Sequence, residues 1–186
     1  TRETKETQIQ LNLNVDGNGT FTGTSGIGFF DHMLTAFAVH GGFALTLHMQ
    51  GDLHVDGHHS VEDVGIVLGK AFAQAVNKGE IERFGNAYVP MDEALAFCAL
   101  DISGRPYLAF DAVFSNQSVG ELDCCLVEVF LRAFAMTSGI TLNIRLERGM
   151  NDHHKIEAIF KAVARALKQA VILRRGTVLS SKGVLA

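Results

Sequence analysis

No apolar run in this chain approaches the roughly 18 to 20 residues of a membrane-spanning helix, so a helical anchor within it is excluded. The polar start "TRETKETQIQ" lacks the hydrophobic segment of a secretory signal. A cytoplasmic setting is therefore expected, or a plastid one if a transit peptide has been removed. Cysteine is scarce: Cys98 and the vicinal pair Cys124 and Cys125 are an odd number poorly placed for a structural disulfide. Packed thiols in a reducing compartment are expected. With only two prolines and no low-complexity stretch, there is no sign of a disordered linker. Positive charge is also short, the net charge being −4, and Lys and Arg are scattered until the tail gathers Arg174, Arg175 and Lys182. No basic field suits nucleic acid, so an anionic ligand needs a local site.

The chain does have enough length and apolar content, 186 residues and 47% hydrophobic, to bury a core in one domain or two small fused subdomains. It also repeats itself. "LTLHMQGDLHVDGHHSVEDVGIVLGKAFAQAV" (45–76) aligns without a gap on "ITLNIRLERGMNDHHKIEAIFKAVARALKQAV" (140–171). His58, His59 and Glu62 fall on His153, His154 and Glu157 at a constant offset of 95. An internal duplication, with pseudo-repeats of approximately 1–85 and 86–186, is the simplest reading.

Local patterns give each half the same order. Ile9, Leu11, Leu13 and Val15 alternate with polar residues, and "DGNG" leads into "TFTGT", which predicts an opening hairpin. "FFDHMLTAFAVHGG" predicts a short helix ended by Gly41 and Gly42, followed by the strand "ALTLHM". Val61, Val64, Leu68, Ala71, Phe72 and Ala75 then share a helical face, as do Ile156, Ile159, Phe160, Val163, Leu167 and Val171. Each triplet thus opens a long amphipathic helix. In the second half "EALAFCALDIS", "RPYLAFDAVF" and "ITLNIRLE" read as strands and "LVEVFLRAFAMTSG" as the short helix. These elements predict an α+β protein of two similar halves, each a sheet with helices on one face, with the sheets able to lie side by side about a pseudo-twofold axis.

In a helix, Glu62 and Glu157 share a face with either histidine of their triplets, while adjacent histidines diverge by about 100°. Each pair therefore suits two different metal ions better than one. Imidazole plus carboxylate fits Mn, Fe, Co, Ni or Zn, and the lack of nearby cysteines argues against structural zinc. The competing reading is that these are solvated or capping histidines; the matched second copy favours metal. His32, opening the first short helix, is a further ligand candidate or a satisfied structural histidine. His40, His48 and His54 read as structural or exposed. In the tail, "LSSKG" offers two hydroxyls, a lysine and a glycine for an anion. Arg83 in "ERFG" and Arg105 in "SGRP" sit in turn-like contexts where a guanidinium can clamp phosphate, or lie on the surface as ordinary charges.

"ETQI", "GFFDHML", "DGHHSVEDVGIVLG", "RFGNAYVPMDEALA", "DISGRPYL", "NDHHKIEAIFKA" and "LSSKG", in this order over essentially the whole chain, closely resemble the imidazoleglycerol-phosphate dehydratase family. The resemblance implies a single domain over residues 1–186 with duplicated halves of the ribosomal-protein-S5-second-domain type. It implies two Mn²⁺ per active site, other divalent transition metals being possible, and a small-molecule phosphate substrate. It also implies trimers assembled into a homo-oligomeric cage of twenty-four subunits with sites at subunit interfaces. By matching motif, Glu6, His32, His58, His59, Glu62, His153, His154 and Glu157 look like metal-site residues. Arg83, Arg105, Ser180 and Lys182 look like a phosphate grip, with Lys161 close by.

The family's reaction removes water from D-erythro-imidazole glycerol phosphate to give imidazole acetol phosphate, a step of L-histidine biosynthesis. The departing hydrogen sits on a non-acidic carbinol carbon. A metal-bound imidazolate ring would push electrons toward the side chain and expel the hydroxyl. A carboxylate then moves the proton: Glu6, also placed against substrate, is the first choice, with Glu62 and Glu157 in the same set. Some positions depart from the family pattern. "CCLVEVFL" puts Cys124, Cys125 and Val129 where relatives commonly have "TELVEHFF" or "TELVEEFF"; Asn143 and Glu3 depart too. Valine cannot coordinate, leaving a position for water or Glu128 to fill. Two alternatives follow: a catalytically impaired metal-binding cage subunit of the same fold, and a metal-dependent phosphohydrolase.

Overall fold

A computed structural model describes residues 1–76, 81–174 and 180. The first half runs β1 (Arg2–Glu3), β2 (Thr7–Asn14), β3 (Thr20–Thr24), α1 (Gly28–Gly41), β4 (Ala44–Gly51) and α2 (His58–Ala75). The second runs β5 (Phe84–Met91), β6 (Ala94–Asp101), β7 (Tyr107–Asp111), a short ribbon of β8 (Ser118–Val119) and β9 (Leu122–Asp123), α3 (Cys125–Ser138), β10 (Thr141–Arg148) and α4 (Asp152–Ala170). The strand orders correspond: β1-β2-β4-β3 in one sheet and β5-β6-β10-β7 in the other. Mixed α+β architecture and internal duplication are thus both present.

The predicted opening hairpin does not form. β3 pairs in parallel with β4 (Phe21 opposite Leu45), and β4 lies between it and β2 (Leu11 opposite Leu47). The helix α1 carries the chain from β3 back to a parallel neighbour, which requires a crossover rather than a tight turn. The second half repeats this, with β7 parallel to β10 across α3.

Alternation places one face of each sheet in the core, as in β6, where Ala94, Ala96, Cys98 and Leu100 are buried. The sheets do not lie side by side. α2 packs along α3 and α1 along α4, so the four helices form a double layer between the sheets. Gly65 and Gly69, one turn apart on α2, allow the first contact: a Cβ would stand 2.7 Å from the Phe130 carbonyl oxygen at Gly65 and 2.6 Å from that of Phe134 at Gly69. Phe30, Phe130 and Phe160 fill the centre, Phe130 stacking on Phe160 at 5.4 Å. Sandwiched on both sides, α4 buries Ile156, Ile159, Phe160, Val163 and Leu167 and much of its remaining surface. Both short helices end at a left-handed glycine, Gly42 (φ 68°) and Gly139 (φ 72°), as their sequences require. No helix among the described residues is long and apolar enough to cross a membrane.

Candidate metal centre

Both histidine pairs stand at helix starts because a polar loop gives way there to the helical period. Asn151 caps α4 by accepting the His153 amide (2.9 Å), and Asp56 accepts that of His58 (2.7 Å). α1 and α4 run in the same direction, His32 meeting Glu157 near their starts and Gly42 lying near Lys168 at their ends. As a result His32, His153 and Glu157 converge, their donor atoms all within 4.8 Å of one another. Glu157 Oε2 lies 3.4 Å from His32 Nε2 and 3.2 Å from His153 Nε2, while its Oε1 accepts from Lys161 Nζ at 2.6 Å. Burial alone would raise the Glu157 pKa, but Lys161 and His32 outweigh it, and the carboxyl is held below its ordinary value. One oxygen is thus neutralised by lysine and the other faces two imidazoles. Phe29 walls the group, its ring 4.9 Å from that of His153.

The second histidine of each pair is held by acidic groups. His59 Nδ1 contacts Asp52 Oδ2 at 3.0 Å, with Glu6 Oε1 3.9 Å from its Nε2. His154 Nδ1 contacts Glu93 Oε2 at 2.8 Å, with Asp92 Oδ2 3.6 Å from its Nε2. Bonding to these carboxylates raises both imidazole pKa values. Glu93 is pulled down to about 2 by the Asn151 amide, His154 and the Met150 amide. Neither Asp52 nor Glu93 was expected from the sequence. Glu93 sits 61 residues before its histidine, and no local spacing marks it.

Among the described residues the other half shows no matching triad. α1 and α3 are equally long and both end at a left-handed glycine, and in that register Val129 holds on α3 the place of His32 on α1. Exposed His58 and half-buried Glu62 therefore have a valine where their counterparts have an imidazole; among the described residues, only the His32 group forms a cluster of three donors. Glu128 does not supply the missing donor, since it pairs with Arg132 one turn along α3. Cys98 and Cys124 are packed thiols, whereas Cys125 is exposed.

Arg83 and Arg105 lie elsewhere. Arg83 grips Asp101 with two prongs (2.6 and 3.0 Å), and Arg105 stands 3.9 Å from the same carboxylate. Arg83 adopts a left-handed φ of 68°, pinned by its amide to Ala170 and by its carbonyl to Ile102. Ala170 ends α4 whereas His154 begins it, so the arginines lie about 24 Å along the helix from the imidazoles. Ser180 is half-buried, and Lys182 lies outside the described residues.

Duplicated halves, packed helix to helix, present a group of imidazole and carboxylate donors that could hold a metal ion at an open surface, the arrangement of an enzyme site rather than of a closed structural knot. The sequence profile described as imidazoleglycerol-phosphate dehydratase matches residues 25–167. The enzyme of that name from Gluconobacter oxydans is 57% identical over 99% of this chain and 95% of its own length, and that from Carboxydothermus hydrogenoformans 54% identical over 99% and 96%. A Staphylococcus aureus imidazoleglycerol-phosphate dehydratase structure superposes with a TM-score of 0.82 at 42% identity, covering 92% of this chain and 97% of that one. One from Pyrococcus furiosus, in complex with (S)-C348, gives 0.85 at 36% identity over 99% of both. The chain belongs to the imidazoleglycerol-phosphate dehydratase family, and is a carbon–oxygen lyase of the hydro-lyase class.

Proposed function

We propose that this chain dehydrates D-erythro-imidazole glycerol phosphate to imidazole acetol phosphate in L-histidine biosynthesis, with divalent metal, Mn²⁺ first, held by its imidazole and carboxylate donors. The observation that carries the reading is the convergence of His32, His153 and Glu157. The fit to metal is good, since two imidazoles and a carboxylate form a borderline-to-hard donor set open to solvent on one side. His32 and His153 side chains are 48% and 41% exposed, leaving room for a substrate ring. Bound metal supplies Lewis acidity toward that ring's nitrogens.

The chain's own residues do the rest. Glu157 sets the charge of the group, Lys161 orients it, and Phe29 shields one flank from water. His58, His59, Glu62 and His154 supply the remaining donors. Exposed Glu6, beside His59, takes the proton from the carbinol carbon and returns one to the neighbouring carbon that has lost its hydroxyl, with Glu62 and Glu157 in reserve. Exposed Arg105, with Arg83 beside it on the same carboxylate, holds the substrate phosphate, joined by Ser180 and Lys182.

Because the arginines lie a helix length from the imidazoles of the same chain, a small phosphate ester cannot touch both. The reading therefore needs a second copy to complete the site, in keeping with trimers built into a twenty-four-subunit cage. Residues 1–186 then act as one domain in the cytoplasm. The impaired-subunit alternative is weaker, since the His32 group and both arginines are present. The test is turnover of imidazole glycerol phosphate by Mn²⁺-reconstituted protein, with metal per chain measured on the same sample. Dehydration with phosphate retained supports the proposal. Phosphate release without dehydration points to a phosphohydrolase, and no turnover with metal bound points to the impaired subunit.

A further inference from the structure

We propose that Asp52 and Glu93 are positioning residues that fix His59 and His154 in the tautomer whose Nε2 is free to bind metal. The inference rests on the metal reading above. An ionised carboxylate has only lone pairs to offer, so a ring nitrogen 3.0 Å from Asp52 Oδ2 or 2.8 Å from Glu93 Oε2 must carry the hydrogen. In a neutral imidazole that leaves Nε2 as the bare nitrogen, the form a metal requires.

The origin of the two carboxylates argues that the contact is functional rather than inherited. If it were a relic of duplication, the offset of 95 would put the partner of His154 at Glu147, the counterpart of Asp52. Glu147 instead pairs with Arg145 at 2.6 Å. The second half reaches the same Nδ1 contact with Glu93, from the turn between β5 and β6. Two unrelated places in the repeat thus converge on one geometry. Glu93 is also locked: its Oε1 accepts the amides of Met150 (3.0 Å) and Asn151 (2.8 Å), so its Oε2 cannot swing away from His154. Left-handed Asp92 (φ 47°) makes the tight turn that aims it. Asp52 Oδ1 is buried with no hydrogen-bond partner among the described residues, so the carboxylate's described use is to hold His59.

The test is Mn²⁺ affinity, read as free Mn²⁺ by electron paramagnetic resonance, for the metal-free assembled protein and the variants E93A, E93Q, D52A, D52N, H154A and E93A/H154A. Each is checked for unchanged circular dichroism and elution volume. E93A and D52A are expected to bind about 10- to 100-fold more weakly, the usual loss when a ligand's outer partner is removed. E93Q and D52N should regain most of the affinity, because an amide oxygen still accepts from Nδ1–H. E93A should lose nothing further in the H154A background, as a residue acting only through His154 requires. Since Glu93 also holds two amides, D52A keeps the test decisive if E93A fails to fold. Wild-type affinity in D52A, or an equal loss from E93A with and without His154, overturns the inference while the metal reading stands. No divalent metal bound by the unmodified protein overturns both.

Discussion

Replacing Asp152 with alanine should destabilise the fold severely without touching a proposed ligand. Asp152 is 1% exposed and gathers four donors: the amides of Ser115 (2.9 Å) and Asn116 (2.6 Å), the Asn116 side chain (2.9 Å) and Lys155 Nζ (2.8 Å). The lysine is itself 4% exposed, and its other described bond is to the Val113 carbonyl at 3.2 Å. Without the aspartate, a buried ammonium faces one neutral acceptor, and breaking such a pair typically costs about 3–5 kcal/mol. The Ser115 and Asn116 donors are only partly buried, so water can recover most of their share. About 4 kcal/mol is expected, a large part of a typical stability of about 5–15 kcal/mol. The assay is urea unfolding of metal-free protein by circular dichroism at fixed protein concentration. D152A/K155M should regain at least half of the loss, because an apolar side chain no longer needs the charge. A loss below about 1 kcal/mol in D152A, or no recovery in the double variant, would refute the claim that an uncompensated charge dominates.

The same residue sets a pH dependence. Burial alone would raise its pKa, but Lys155 and the Asn116 and Ser115 amides hold the carboxyl below its usual value. Its stabilisation is therefore complete above the unfolded pKa of about 3.9 and fades as pH falls through the folded value, so wild type and D152A should converge in stability in acid. Gly65→Ala should lower the melting temperature despite alanine's better helix propensity: a Cβ 2.7 Å from the Phe130 carbonyl oxygen forces α2 from α3, at about 1–3 kcal/mol. Glu157→Gln should weaken Mn²⁺ binding about tenfold or more and free Lys161, measured by metal competition. Val129→His should increase Mn²⁺ retained per chain, since it places an imidazole opposite His58 and Glu62 as His32 stands to His153 and Glu157; unchanged metal content would argue against the register between α1 and α3.

The parts of this molecule that could be read from sequence are those fixed by neighbours in the chain. Helical period and terminal glycines located α1 to α4, and the gapless repeat paired His58 with His153 before any geometry was known. Alternation shows which face of a strand is buried but says nothing of its neighbour, so β3 was expected beside β2 and instead lies beyond β4. The candidate site was legible in its ligand types but not its arrangement. Glu93 and Asp52 hold their histidines through tertiary contacts that no spacing encodes, and two-pronged binding to Asp101 was not apparent from the turn-like setting of Arg83.

The packing of each half's helices against those of the other gives fusion a value beyond stability. In a dimer of two identical half-chains, every substitution would occur twice, and a lost side chain would vanish from both halves at once. Joined in one polypeptide, the halves share a scaffold but mutate separately: α1 carries an imidazole at His32 while α3 carries an isopropyl group at Val129. Covalent linkage has made asymmetry heritable, so one half can change a candidate donor while its twin keeps its own.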